Sequence, residues 1–179
     1  RVLKMMHIDS WECGSQNWSD NFLNEFHSRR GYDLKLYMPL FAGFPIESAE
    51  KSEMVLRDIR TTISELVNDV FFSVMVSNAK AMGCETSAES IAPTFTSDGM
   101  KHFKIVDRPM GEFWLNSPTH DKPNDMLDAI SGAHVYGKKI IQAEGFTQLR
   151  TNWNEDPAML KPLLDRNFAL GLNKLFFHI

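Results

Sequence analysis

The chain has 179 residues, of which 43% are apolar and 23% charged, with a formal net charge of -4. That balance fits a globular protein and excludes a disordered chain, a collagen-like repeat and a disulfide-stapled miniprotein. No apolar run approaches the ~20 residues of a membrane span, and slight acidity leaves no broad electrostatic footprint for DNA or RNA.

Residues 2–8 are a short apolar run that reads as a buried strand. Ser19-Asp20 offers an N-cap, Phe22, Leu23 and Phe26 recur at helical spacing, and Gly31 supplies a stop. Residues 32–46, broken by proline, glycine and aromatics, read as a structured loop. A long helix is predicted over 48–82, because Val55, Ile59, Ile63, Leu66, Val70 and Val74 repeat every three or four residues before Gly83. Residues 84–90 read as a strand. Ser97-Asp98 can cap a short helix through Phe103, and 104–113 read as the next strand.

Pro123 opens a helix with Met126, Leu127, Ile130 and His134 on its apolar face and Gly137 at its end. Residues 138–144 then form a strand. Asp156-Pro157 caps a helix carrying Leu160, Leu163 and Phe168 to Gly171, and 173–178 are a last strand. Cys13 and Cys84 fit no motif and read as buried free thiols. The alternation of five strands with helices predicts an α/β fold with a parallel sheet. The chain opens and closes in apolar runs, which predicts that it is a piece of a larger protein.

Helical crossovers leave the C-terminal ends of parallel strands on one edge, where α/β folds place their chemistry. In chain order that edge receives Asp9 and Glu12, Glu89, Glu112, Glu144 and His178. One such carboxylate is ordinarily just solvated. Several in register repel one another unless something uses them. Aromatics accompany them: Trp11 and Trp18 around Glu12, Phe113 and Trp114 after Glu112, and Phe146 after Glu144. Acids interleaved with aromatic rings suit sugars, whose C–H faces stack while their hydroxyls hydrogen-bond. Gln16, Asn17, Asn116 and His120 could serve as further hydroxyl partners.

Paired carboxylates are what glycoside hydrolysis requires, one as acid and the other as nucleophile or base. A carboxylate cluster also suits calcium, to which Asp9, Glu89 and Asp107 could contribute. The sequence has no His-x-x-x-His or Cys-x-x-Cys pair for zinc, no glycine-rich phosphate loop and no Gly-x-Ser-x-Gly elbow.

The stretch His7-Ile8-Asp9-Ser10-Trp11-Glu12 with Gln16-Asn17-Trp18 resembles the general-acid segment of glycoside hydrolase family 106, the α-L-rhamnosidases. Pro109-Met110-Gly111-Glu112-Phe113-Trp114, His134-Val135-Tyr136-Gly137-Lys138-Lys139, Ala143-Glu144-Gly145-Phe146-Thr147 and the closing Gly171-Leu172-Asn173 with His178 agree in the same order. The resemblance implies that 1–179 is the second half, strands four to eight, of a (β/α)8 TIM barrel within a larger multidomain glycosidase. A whole barrel needs ~250 residues, so the N-terminal half would be a partner supplied elsewhere.

The resemblance also implies an inverting mechanism aided by calcium, on a rhamnose-containing plant glycan. Glu12 is then the general acid. Either Glu112 or Glu144 is the base, with a lean to Glu112. Asp9, Trp11, Asn17, Trp18, Glu89, Trp114 and His178 become substrate-binding residues, with Asp9 and Glu89 also as metal ligands. One departure is Gly145, where an alanine is expected. Such enzymes are commonly exported. The competing readings are a retaining β-glycosidase using Glu12 and Glu144, and a non-catalytic carbohydrate-binding fragment.

Overall fold

The structure is a computed structural model describing residues 2–12, 17–89, 97–150 and 153–178. Its described residues fall into two compact units, a larger one of 2–12, 72–89 and 99–178 and a smaller one of 17–71 with 97 and 98.

The larger unit is built on five strands: β1 (Met5–Ile8), β2 (Glu85–Glu89), β3 (Arg108–Trp114), β4 (Gln142–Thr147) and β5 (Lys174–Phe177). They pair in sequence order, every pair parallel. The predicted parallel α/β arrangement is therefore present. The sheet is curled: Gln142 Nε2 on β4 lies 3.9 Å from Met5 Sδ on β1, although β2 and β3 stand between those strands.

Alternation of side chains gives the sheet two different faces. On one, Phe113 and Ala143 pack with Met126, Ile130 and Ala133 of α4 (Pro123–Val135), and Leu160, Leu163 and Leu164 of α5 (Pro157–Leu170) lie against the same core. The contact with α4 is close. A Cβ on Gly111 would stand 2.8 Å from the Asp125 carbonyl oxygen and 3.0 Å from Met126 Cα. The other face is polar, and the register sets Glu112 beside Glu144 and His7 beside Ser87.

The smaller unit holds α1 (Phe22–Arg30) and α2 (Ala49–Leu66), which share a core of Phe22, Phe26, Leu34, Tyr37, Leu40, Val55 and Ile59. Arg29 and Arg30 pair with Glu65 on the surface of that core.

Several boundaries differ from expectation. The predicted loop over 32–46 contains a 3-10 helix, Leu34–Ala42, whose Asp33 cap accepts a hydrogen bond from the Lys35 N–H. The helix expected over 48–82 starts at its Ser48 cap but is interrupted. A π-helical turn, Val67–Phe72, separates α2 from α3 (Ser73–Ala81). There the Asn68 side chain donates to the Ser64 carbonyl at 2.8 Å, the acceptor that its own N–H would take in an α-helix.

Neither Ser19-Asp20 nor Ser97-Asp98 caps a helix. The cap positions are Asn21 and Met100, without side-chain capping bonds, and Ser97 Oγ instead accepts from Asn68 Nδ2 at 2.6 Å. β3 and β4 begin four residues later than the strands expected from 104 and 138. On α4, Leu127 and His134 are exposed and the alanines Ala129 and Ala133 are buried in their place. Cys84 is buried and free, and Cys13 lies outside the described residues.

Candidate active site

The polar face of the larger unit gathers the residues that alternation projects from the strands. At the end of β1, Asp9 accepts a hydrogen bond from the Ser10 N–H at 2.8 Å, and Ser10 Oγ donates to Glu89 Oε2 at 3.0 Å. His7 Nδ1 lies 2.8 Å from Ser87 Oγ, and His7 Nε2 faces Glu89 Oε1 at 4.0 Å. Glu89 is buried, and its Oε1 has no hydrogen-bond partner. His7, Asp9 and Glu89 offer three ligand atoms all within 4.8 Å of one another.

The charges of this group are strongly coupled. Burial first, then the hydrogen bond with Asp9 and the nearby Glu144 and Asp9 charges, push the Glu89 carboxyl up to about 10. Burial works against the Asp9 anion too, but the hydrogen bond with Glu89, the Ser10 N–H and the His7 and His178 charges hold it below its ordinary value. Glu89 therefore keeps its proton and Asp9 carries the negative charge. His7 is lowered by burial, against the pull of Asp9 and Glu144.

The second group is Glu112 and Glu144, lateral neighbours on β3 and β4. Burial, then Glu144 and Asp125, with Glu12 adding a smaller push, raise Glu112 to about 7, while the Trp114 indole N–H offsets part of the rise. Glu144 Oε1 accepts a hydrogen bond from Thr147 Oγ1 at 2.8 Å. Trp114 is itself held on both sides. Its ring stacks on His120 at 4.8 Å, and its backbone N–H donates to Asp121, which pairs with Arg166 of α5.

Of the expected residues in the larger unit, Asp9 and Glu89 fall in one hydrogen-bonded group around Ser10, and Glu112 and Glu144 are lateral neighbours. Asp9 feels the charges of His7 and His178, Glu89 those of Asp9 and Glu144, and Glu112 those of Glu144 and, less, Glu12. Trp11 lies in the same unit. Asn17 and Trp18 belong to the smaller unit, where Trp18 packs on Phe22 at 4.7 Å and meets Phe41 edge-on at 6.0 Å. Gln16 lies outside the described residues. Asp107 is engaged elsewhere, accepting from the Thr86 N–H and hydroxyl at 2.8 and 2.9 Å. Glu144 sits inside β4, not at its end, because the strand runs on to Thr147.

His7, Ser10, Ser87 and Thr147 were not singled out from sequence. The period of two could have found His7 beside Asp9 and Ser87 beside Glu89. No sequence period finds Thr147, because the strand is irregular there. Gly145 is explained by packing: a Cβ would stand 2.5 Å from Phe113 Cζ and would also strike Leu175.

The α-L-rhamnosidase family profile matches residues 1–179. A Formosa agariphila protein, whose name assigns it provisionally as a β-glucuronidase, is 37% identical over 96% of this chain and 14% of its own length. The solved structure of a rhamnosidase from Novosphingobium sp. PP1Y superposes with a TM-score of 0.83 at 27% identity, over 98% of this chain and 17% of that one. The chain thus spans about a sixth of the rhamnosidase it matches. A profile match over the whole length and a shared half-barrel of five strands lead to one conclusion: the chain belongs to the α-L-rhamnosidase family, glycoside hydrolase family 106.

Proposed function

We propose that this chain forms strands four to eight of a (β/α)8 barrel in a larger, inverting α-L-rhamnosidase, with Glu12 as general acid and Glu144 as general base. The observation that carries the reading is the electrostatic chain linking Glu12, Glu112 and Glu144 on one face of a curled parallel sheet. In this reading Glu12 gives its proton to the glycosidic oxygen as that bond breaks. Glu144 takes a proton from the water that attacks the anomeric carbon from the opposite side.

The family resemblance leaned towards Glu112 as base, but its environment favours Glu144. A base must be unprotonated at the working pH, and Glu112 is pushed up to about 7. Glu144, in contrast, has its carboxylate held by the Thr147 hydroxyl, which donates to Oε1 at 2.8 Å. Glu112 then binds a sugar hydroxyl. Trp11, Trp114 and His178 of the larger unit complete the sugar site in this reading.

Asp9 and Glu89 suit a hard cation. Glu89 presents a buried, unpartnered oxygen, and the surrounding carboxylates supply uncompensated negative charge. Calcium held there would orient and polarise vicinal sugar hydroxyls. His7 offers nitrogen, a poorer donor for calcium, and stays with Ser87 in this scheme.

Rhamnose is favoured over glucuronic acid by charge. The Asp9 carboxylate, held below its ordinary value, repels a uronate carboxylate but not a neutral deoxy sugar. The test uses the full-length protein on aryl α-L-rhamnoside and aryl β-glucuronide. Turnover of the first alone is expected. Turnover of the second alone refutes the rhamnoside assignment.

A further inference from the structure

We infer that Thr147 is a positioning residue for the base and that an irregularity in β4 exists to bring it there. The inference deepens the proposed function and rests on Glu144 acting as the base. The register between β3 and β4 runs evenly through Phe113 opposite Gly145, then jumps so that Trp114 faces Thr147. Phe146 is the extra residue. It adopts a left-handed backbone with φ 64, which a bulky side chain avoids unless its surroundings enforce it.

The surroundings do enforce it. The Phe146 ring is buried, meets Phe113 edge-on at 5.1 Å and stacks on Phe177 at 5.5 Å. Gly145 lies against Phe113 and Leu175, so two successive residues face the helices. Thr147 consequently returns to the carboxylate face one position later than strict alternation allows. Its Oγ1 meets Glu144 Oε1 at 2.8 Å, and the Leu115 N–H fixes its carbonyl at 2.9 Å. In a regular strand, residue 146 would share the Glu144 face and residue 147 would point away. The bulge converts a position that would face the helices into a hydrogen-bond donor for the base.

The hydroxyl holds the carboxylate in one rotamer, so its loss acts on turnover more than on binding. In the full-length enzyme, Thr147→Val is expected to lower kcat about 10- to 100-fold with KM within about twofold of wild type. Thr147→Ser is expected to restore most of the rate. The loss should be the same for aryl rhamnosides with good and poor leaving groups, since it weakens the base and not the acid. If Thr147→Val does not fold, Thr147→Ala against Thr147→Ser makes the same comparison. Equal kcat in the variants with and without the hydroxyl overturns the inference. So does a loss that falls mainly on poor leaving groups. Glu144→Gln serves as the control: if it retains full activity, the assignment of the base has failed, and with it the reading on which the inference rests.

Discussion

Glu12 and Glu89 stand for two uses of a carboxyl group on the same face. In the proposed mechanism Glu12→Gln removes the proton donor to the leaving oxygen. Turnover on a rhamnoside with a poor leaving group should fall by about three orders of magnitude, and much less on an activated aryl rhamnoside, as parallel kcat measurements would show. Glu89 makes a prediction about stability. Its carboxyl is raised from 4.5 to about 10, so its contribution is fully present below pH 4.5 and is lost as pH rises through 10. Metal-free protein should therefore melt at progressively lower temperature between pH 5 and 9. Glu89→Gln should flatten that decline and gain on the order of 2 kcal/mol at pH 8. An unchanged slope in the variant would contradict the burial of this acid. With calcium present, wild type should regain thermal stability at pH 8, while Asp9→Asn should not respond. Equal calcium responses would remove Asp9 from the ligand set.

The elements place these residues through close contact between β3 and α4. Gly111 leaves no room for a Cβ, which would meet the backbone of Asp125 and Met126. Gly111→Ala should destabilise the larger unit by roughly 1–3 kcal/mol, read as a lower denaturation midpoint. Wild-type stability would show that α4 can slide away from the sheet. At this scale the sequence was informative where one period dominates. The Asp156 cap and the stops at Gly31 and Gly137 are local signals, and each lies where the sequence predicts it. It was less informative where side chains compete with the backbone, as Asn68 does for the Ser64 carbonyl, or where a strand begins after a polar approach, as β4 does after Lys138-Lys139. Leu127 and His134 look apolar-facing by spacing, but the small residues Ala129 and Ala133 allow α4 to sit closer to the sheet on another face.

Across the whole molecule, the parallel sheet of five strands was legible from the alternation of strands and helices, whereas Glu112 and Glu144, expected at strand ends, lie inside β3 and β4. Strand order fixes which residues share an edge. It does not reveal a bulge, a stacking partner such as His120 behind Trp114, or the way one acid raises another. Those depend on distances that emerge only when the sheet curls. The curled sheet of five strands matches one part of a much longer rhamnosidase. The account turns on acid and base acting from opposite sides of one anomeric carbon. Proton NMR of the first sugar released from an aryl α-L-rhamnoside by the full-length enzyme reads this directly. The account predicts β-L-rhamnose as the initial product, followed by slow mutarotation. Initial release of α-L-rhamnose would contradict it.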